Sequence, residues 1–289
     1  MRSSVVLLAA ACALFAGCTG DRMDVESAGE GPTQQSVSPA APSSVASTVT
    51  PALPVPRPRT LASLGDSFAS GVGARGMTQP CGRSEGGWTG LLAEELGMNF
   101  VNLACSGATL EETIAQVDDL PENVDVVAVT TGGNSLKFAQ VVIRCLADDC
   151  ESGWKSALAN LPGIRPAALE LLTAVHALRP GVSAIVLTLY PTPTRTGLSC
   201  GKITEEVADL FTKGPALLNT ELVAAASEAR SLGVPVVVVD PVEFLKHPLC
   251  SDDPWFHGPE KGLFVMHLND AGYAALATAA RAELVSGTG

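Results

Sequence analysis

The stretch LASLGDSFASGVGA, residues 61–74, decides the fold class of this chain. Its apolar start is only a few residues long and stops at Gly65-Asp66-Ser67, after which small residues follow. A short, continuous apolar run of this kind is typical of a strand that is buried on both faces of a sheet. In open parallel sheets the reactive groups gather at the carboxyl ends of the strands. Ser67 is therefore a candidate nucleophile, although Asp66 and Ser67 could equally form no more than the cap of the next helix.

Strands and helices alternate along the rest of the chain. Strands are predicted at Leu61–Leu64, Asn99–Leu103, Val124–Thr130, Ala184–Leu189 and Val234–Asp240. Helices are predicted at Thr89–Leu96, Ala108–Val117, Pro166–Leu178, Asn219–Arg230 and from about Asn269 onward. This alternation implies right-handed crossovers and a parallel sheet with helices on both faces. We therefore expect an α/β fold, a three-layer α/β/α sandwich, in a single domain over residues 60–289.

Composition limits the classes of partner. The 289 residues are 46% hydrophobic and carry a formal net charge of −12. Binding to nucleic acid phosphates needs clustered Lys and Arg, so nucleic acid is not an expected partner. The same acidity excludes a polybasic membrane patch.

The first residues indicate export. Arg2 precedes an apolar run, Val5–Ala16, which is too short to span a bilayer but fits a signal peptide over residues 1–17. The run ends in LFAGC, which resembles a bacterial lipobox and predicts lipidation of Cys18; ordinary cleavage near Ala11–Ala13 is the alternative. Residues 18–59 are rich in Ser, Pro and Thr and predict a disordered linker. The protein is thus expected to be exported, either as a cell-surface lipoprotein tethered to the membrane through Cys18 or as a secreted protein.

Cysteine content agrees with an oxidising compartment. Six cysteines remain after Cys12 and Cys18 are set aside: Cys81, Cys105, Cys145, Cys150, Cys200 and Cys250. An even set fits disulfides, and the order along the chain indicates the pairs Cys81–Cys105, Cys145–Cys150 and Cys200–Cys250. Spacing alone leaves about fifteen pairings open. No CxxC or Cys/His cluster has the spacing of zinc ligands, so no metal is predicted.

Three further stretches add chemistry to Ser67. NLACSGAT (102–109) places Gly107 after the second strand, VVAVTTGGNSLKF (126–138) places Asn134 after the third, and HLNDAGYAALA (267–277) places His267 before the last helix. Taken singly, they could be a strand end, a helix cap and a surface histidine. Together they supply what ester cleavage needs: a nucleophile, a base, and oxyanion donors from the Ser67 and Gly107 N–H groups and the Asn134 amide.

These motifs, in this order, resemble the SGNH or GDSL-type hydrolases across Thr60–Gly289. The resemblance implies a flavodoxin-like five-stranded sheet of order 2-1-3-4-5 and hydrolysis of carboxylic esters, of lipids or acylated glycans, without metal or cofactor. It also implies Ser67 and His267 as catalytic residues, with an oxyanion hole of Ser67, Gly107 and Asn134. The three proposed disulfides resemble those of secreted actinobacterial esterases of this family.

One position departs from the family pattern. Most members carry Asp three residues before the histidine, where this chain has Phe264. The backbone carbonyl of Phe264 can accept the Nδ1–H bond instead, as the resemblance to some secreted members implies, although it stabilises imidazolium less than a carboxylate does. Asp252, Asp253 and Asp270 are rival acceptors, and His257 is a weaker candidate for the base.

Two functions follow from these observations. The first is a secreted serine esterase or lipase that works through an acyl-enzyme. The second is a non-catalytic surface lipoprotein that binds acyl or glycan ligands on a hydrolase scaffold. In either case we expect the loops 190–201 and 247–262 to wall the pocket, with Trp255 and Phe256 either contacting the acyl group or packing their own loop.

Overall fold

The computed structural model describes residues 57, 59–147 and 149–286. The predicted signal peptide, the predicted lipidation site Cys18 and nearly all of the predicted linker lie outside the described residues. Arg57 and Arg59, at the end of the predicted linker, are described. In the described part of the chain, no helix is both long and apolar enough to cross a membrane.

Five parallel strands form one sheet, and their order is the predicted one. The strands are β1 (Thr60–Gly65), β2 (Asn99–Asn102), β3 (Val124–Thr130), β4 (Ala184–Thr188) and β5 (Val236–Val239), arranged β2-β1-β3-β4-β5. Every residue of β1 and β4 is buried, because helices cover both faces of the sheet. This confirms the predicted α/β sandwich.

Helices surround the sheet in two groups. They are α1 (Ser67–Ser70), α2 (Trp88–Glu95), α3 (Leu110–Ala115), α4 (Phe138–Leu146), α5 (Cys150–Asn160), α6 (Ile164–Leu178), α7 (Glu205–Ser231) and α8 (Asp270–Ser286). Helix α2 packs against α8, while α6 packs against both α3 and α7. Short 3₁₀ segments lie at Gln116–Asp119, Leu161–Gly163, Val242–Lys246 and Pro259–Phe264.

The structure differs from the predicted helices in two places. Helices α4 and α5 were not predicted. Helix α7 begins at Glu205 rather than near Asn219, and it runs through Pro215. The Thr204 side chain accepts the Val207 N–H at 3.3 Å and starts α7, and Pro215 is buried within it. Packing of the proline against its neighbours therefore offsets the backbone hydrogen bond that it removes.

The amino edge of the sheet is held by an ion pair. Arg57 donates two hydrogen bonds to the Asp125 carboxylate, both at 3.0 Å, and a third to the Asn123 carbonyl. Asp125 also accepts the Thr60 N–H at 2.8 Å. The chain therefore enters β1 at the edge of the sheet opposite the carboxyl ends of the strands.

Candidate active site

Gly65 and Gln116 fix the point where β1 ends. Gly65 has φ +126°, and a Cβ on it would lie 2.0 Å from the Thr130 carbonyl oxygen, so no larger residue fits there. The Gln116 side chain accepts the Gly65 N–H at 2.7 Å and donates to the Gly65 carbonyl at 3.0 Å. Ser67, two residues later, thus starts from a rigid position at the carboxyl edge of the sheet.

Asp66 caps the helix that Ser67 begins. Its buried carboxylate accepts the Phe68 N–H at 3.0 Å and the hydroxyl proton of Tyr190. Burial raises the pKa of Asp66 from 3.8 to about 7, although the hydrogen bonds from Tyr190 and Phe68 act in the opposite direction. Asp66 therefore has a structural role as the cap of α1, as its position in the sequence favours.

The predicted oxyanion donors lie in neighbouring loops. Gly107 has φ +89°, and neither its N–H nor that of Ser67 donates a hydrogen bond within the described residues. The Asn134 side-chain amide donates to the Ala108 carbonyl at 3.1 Å. In the same loop, the Ser135 hydroxyl accepts the Leu110 N–H at 2.8 Å, so the second and third motifs are joined by two hydrogen bonds.

Two backbone hydrogen bonds join the segment of His267 to the segment of His257. The His257 N–H donates to the His267 carbonyl at 2.8 Å, and the Met266 N–H donates to the His257 carbonyl at 3.0 Å. The His257 ring donates from Nε2 to the Gly73 carbonyl at 3.0 Å, which joins this loop to the one that follows Ser67. His257 therefore has a structural contact in the described residues.

The His267 ring is half-buried, with its Nδ1 edge turned away from solvent. It lies against Phe68, with ring centroids 5.4 Å apart, and its Nδ1 has no hydrogen-bond partner among the described residues. Burial lowers the pKa of His267 from 6.5 to about 4; the carbonyls of Phe264 and Val265 raise it, and His257 lowers it further. The ring is thus neutral at neutral pH, the form in which a histidine can accept a proton.

The predicted orienting group, the Phe264 carbonyl, accepts the backbone N–H of His267 at 2.9 Å. Two of the rival carboxylates have other partners. Asp253 pairs with His247 at 3.1 Å, and Asp270 pairs with Arg75 at 2.9 Å.

One cavity of about 320 Å³ brings the predicted residues together. Ser67, Gly107, Asn134 and His267 all line it, although they are far apart in the sequence. Away from these four, the lining is largely apolar. Helices α4 and α7 supply much of that wall, with Phe138, Ala139, Val142, Ile143, Gly214, Pro215 and Leu218.

The predicted loops contribute only in part. Tyr190, Pro191, Pro193 and Gly262 line the cavity, whereas Trp255 and Phe256 are not among the lining residues. Both aromatic rings pack against Phe244, at centroid distances of 4.9 and 5.7 Å. Of the two roles considered for these aromatics, the structure has the packing one.

The disulfides join the loops around the site. Cys81–Cys105 ties the segment after α1 to the loop of Gly107, Cys145–Cys150 joins α4 to α5, and Cys200–Cys250 joins the two long loops. These are the pairs indicated by their order in the sequence. Within the described residues there is no group of three or more His, Cys, Asp or Glu side chains arranged to hold a metal ion.

Two functional features were missed by the sequence reasoning. The first is the apolar wall of the cavity, because helix α4 and the first part of helix α7 were not predicted. Tyr190 was included only as part of a loop, yet its hydroxyl bonds both Asp66 and the Gly133 N–H. Its place just after β4, at the carboxyl edge of the sheet, was the signal that could have identified it.

Comparisons of sequence and structure identify known proteins that are similar to this chain. The model of the GDSL-like lipase/acylhydrolase family matches residues 63–275. A lipase from Streptomyces rimosus is 30% identical over 208 residues, which are 68% of this chain and 75% of the relative. The crystal structure of phospholipase A1 from Streptomyces albidoflavus NA297 aligns with a TM-score of 0.70 at 24% identity, over 80% of this chain and 99% of that one. An extracellular lipase structure from Streptomyces rimosus has the same TM-score and identity over 79% and 99%.

Proposed function

The chain belongs to the GDSL-like lipase/acylhydrolase family and is a carboxylic ester hydrolase, and we propose that it works through an acyl-enzyme formed on Ser67. The observation that supports this mechanism is the shared cavity of Ser67, Gly107, Asn134 and His267. Membership of a hydrolase family speaks against the alternative of a non-catalytic binding protein.

In the first half-reaction the Ser67 Oγ attacks the ester carbonyl carbon while His267 takes the hydroxyl proton through Nε2. The negative oxygen that forms receives hydrogen bonds from the Ser67 and Gly107 N–H groups and from the Asn134 amide. The C–O bond to the alcohol then breaks, and His267 returns the proton to the departing oxygen. In the second half, water attacks the acyl-enzyme with His267 again as base, and the carboxylic acid leaves.

We assign the orientation of His267 to the Phe264 carbonyl. The Phe264 carbonyl accepts the backbone N–H of His267 at 2.9 Å, which supports its place beside the ring. The unpartnered Nδ1 has a proton to donate once Nε2 faces Ser67. A rotation of the ring that forms this bond when the substrate binds would satisfy a buried polar atom.

The acyl group is proposed to lie along the apolar wall of α4 and α7. This wall and Ser67 line the same cavity, and the wall includes Ile143, whose side chain is largely exposed. An apolar surface of this kind favours esters of longer acyl chains over acetates, because each buried methylene contributes about 0.8 kcal/mol.

Action outside the cytoplasm is part of the same proposal. Three disulfides favour an oxidising compartment, and one structural neighbour is described as an extracellular lipase. A lipid on Cys18 remains a proposal from the sequence. It is tested by mass spectrometry of the protein from a membrane fraction, with Cys18→Ala as control.

Ser67→Ala tests the mechanism. The variant is expected to lose labelling by a fluorophosphonate probe and hydrolysis of p-nitrophenyl butyrate, because only an activated serine reacts with the probe. Ser106→Ala is the matched control, since Ser106 lines the same cavity, and it should still be labelled. Undiminished hydrolysis by a folded Ser67→Ala protein would overturn the assignment.

A further inference from the structure

A buried carboxyl–phenol pair lies in the wall of the cavity. Asp66 and Tyr190 are 1% and 7% exposed. The Tyr190 hydroxyl donates to the Asp66 carboxylate and accepts the Gly133 N–H at 2.9 Å. One oxygen atom therefore bonds two different loops of the site.

The phenol has little freedom to move. The Tyr190 N–H donates to the Asn219 side-chain oxygen at 2.9 Å, and the Asn219 amide donates to the Tyr190 carbonyl at 2.9 Å. The ring meets Phe68 edge to face, at a centroid distance of 5.2 Å. Helix α7 thus holds the backbone of Tyr190, and α1 holds its ring.

The ends of this hydrogen-bonded chain adjoin the proposed catalytic groups. Ser67 follows Asp66 directly, and Asn134 follows Gly133 directly. A shift of the phenol oxygen must therefore move the loop of Asn134 relative to the loop of Ser67. Displacing a catalytic group by about 1 Å can cost about a hundredfold in rate, so such a connection has consequences for catalysis.

We propose that Tyr190 is a positioning residue, which sets the distance between Ser67 and Asn134 through the two hydrogen bonds of its hydroxyl group. The proposal rests on the function proposed above for Ser67 and Asn134. The distance between Ser67 and Asn134 affects the stability of the transition state, because the oxyanion forms only after attack. Ester binding along the apolar wall is not involved.

The test is a double-mutant cycle of Tyr190→Phe with Asn134→Ala, measured on p-nitrophenyl butyrate. Tyr190→Phe keeps the ring and removes only the hydroxyl. We expect kcat to fall about ten- to a hundredfold with little change in KM. In the Asn134→Ala background the same change should have almost no further effect, since the group that it positions is already absent.

Tyr273→Phe is the matched control. Tyr273 is fully buried, and its hydroxyl donates to the Val72 carbonyl at 2.7 Å. This change should lower the melting temperature without a coupling to Asn134→Ala. If Tyr190→Phe fails to fold, Asn219→Asp removes the hydrogen bond to the Tyr190 carbonyl, and we expect a smaller fall in kcat with the same coupling.

Two results would overturn the positioning role. One is an unchanged kcat in folded Tyr190→Phe. The other is an equal fold-loss in both backgrounds, which would mean a general structural effect. Fluorophosphonate labelling of the unmodified protein separates these failures from failure of the mechanism itself, because an unlabelled Ser67 would remove the premise rather than the positioning role.

Discussion

Acidification should inactivate this enzyme only near pH 4, because desolvation lowers the pKa of the histidine that is the proposed base. Burial lowers the pKa of His267 from 6.5 to about 4, and no carboxylate among its causes opposes that shift. The neutral ring is the active form, so the contribution of His267 to kcat/KM should be level from neutral pH to about pH 5 and should fall below that.

The size of the effect follows from the fraction of neutral imidazole. At pH 5 a histidine with a pKa of about 4 is roughly nine-tenths neutral, whereas one with the ordinary value of about 6.5 is roughly 3% neutral. Relative to pH 7, the buried histidine therefore predicts about 90% of the rate, and an ordinary one predicts about 4%. The two cases differ about twentyfold.

The assay is the initial rate with p-nitrophenyl butyrate at low substrate concentration, read at a wavelength where both forms of the product absorb equally. Asp66→Asn is a useful companion, since a rate change near pH 7 that disappears in this variant belongs to that carboxyl. A midpoint near pH 6.5 in both proteins would refute the reasoning from burial.

A loss of rate through unfolding must be separated from a loss through titration of the active site. The pKa shifts predict in which direction the stability of the folded state changes with pH. The folded pKa of His267 lies below the unfolded value, so its stabilisation is present above pH 6.5 and is lost as the pH falls through about 4. Asp66 has the opposite sign: its pKa is raised, so its stabilisation is present below pH 3.8 and is lost as the pH rises through about 7. Circular dichroism at each pH, and recovery of the rate on return to pH 7, show which process is observed.

Two further predictions concern the fold and the acyl wall. Gly65→Ala should reduce the free energy of unfolding in urea by about 3 kcal/mol, because its methyl meets the Thr130 carbonyl, whereas Gly97→Ala, with open space around it, should lose about 1 kcal/mol; equal losses would refute the steric reasoning. Ile143→Asp should lower kcat/KM for the octanoate ester about tenfold more than for the acetate ester, as expected for about two methylenes losing apolar contact. Leu158→Asp, exposed on the adjoining α5 but not lining the cavity, should leave that ratio unchanged, and a change there would count against the acyl wall.

The sheet could be predicted because its strands have a clear pattern. The central run Val126–Val129 is apolar throughout, as expected for a short strand that is covered on both faces. The starts of helices α4 and α5 are not marked in a comparable way. Lys137 precedes α4 in a left-handed conformation, φ 59°, and neither α4 nor α5 has a side-chain cap at its start. The predicted helix started only at Asn219, after Pro215, whereas helix α7 contains this proline.

The shared cavity of the four predicted residues could be expected from the sequence, but the contacts that support it could not. Ser67, Gly107, Asn134 and His267 follow strands or precede the last helix, so topology alone directs them to one edge of the sheet. The partners of Tyr190 and the isolation of the His267 Nδ1 depend on side-chain directions in loops. No periodicity in the sequence encodes those directions.

The ion pair of Arg57 with Asp125 has a practical consequence for handling the enzyme. It fixes the entry of the chain at one end of β1, and the cavity opens beyond the other end, about 20 Å away for a six-residue strand. A tag placed directly ahead of Arg57 would therefore attach the enzyme to a bead or an electrode through the edge of the sheet that lies away from the cavity. Substrate from the bulk solution would then reach the cavity freely, whereas attachment through Ile143, an exposed residue that lines the cavity, would place the cavity against the support.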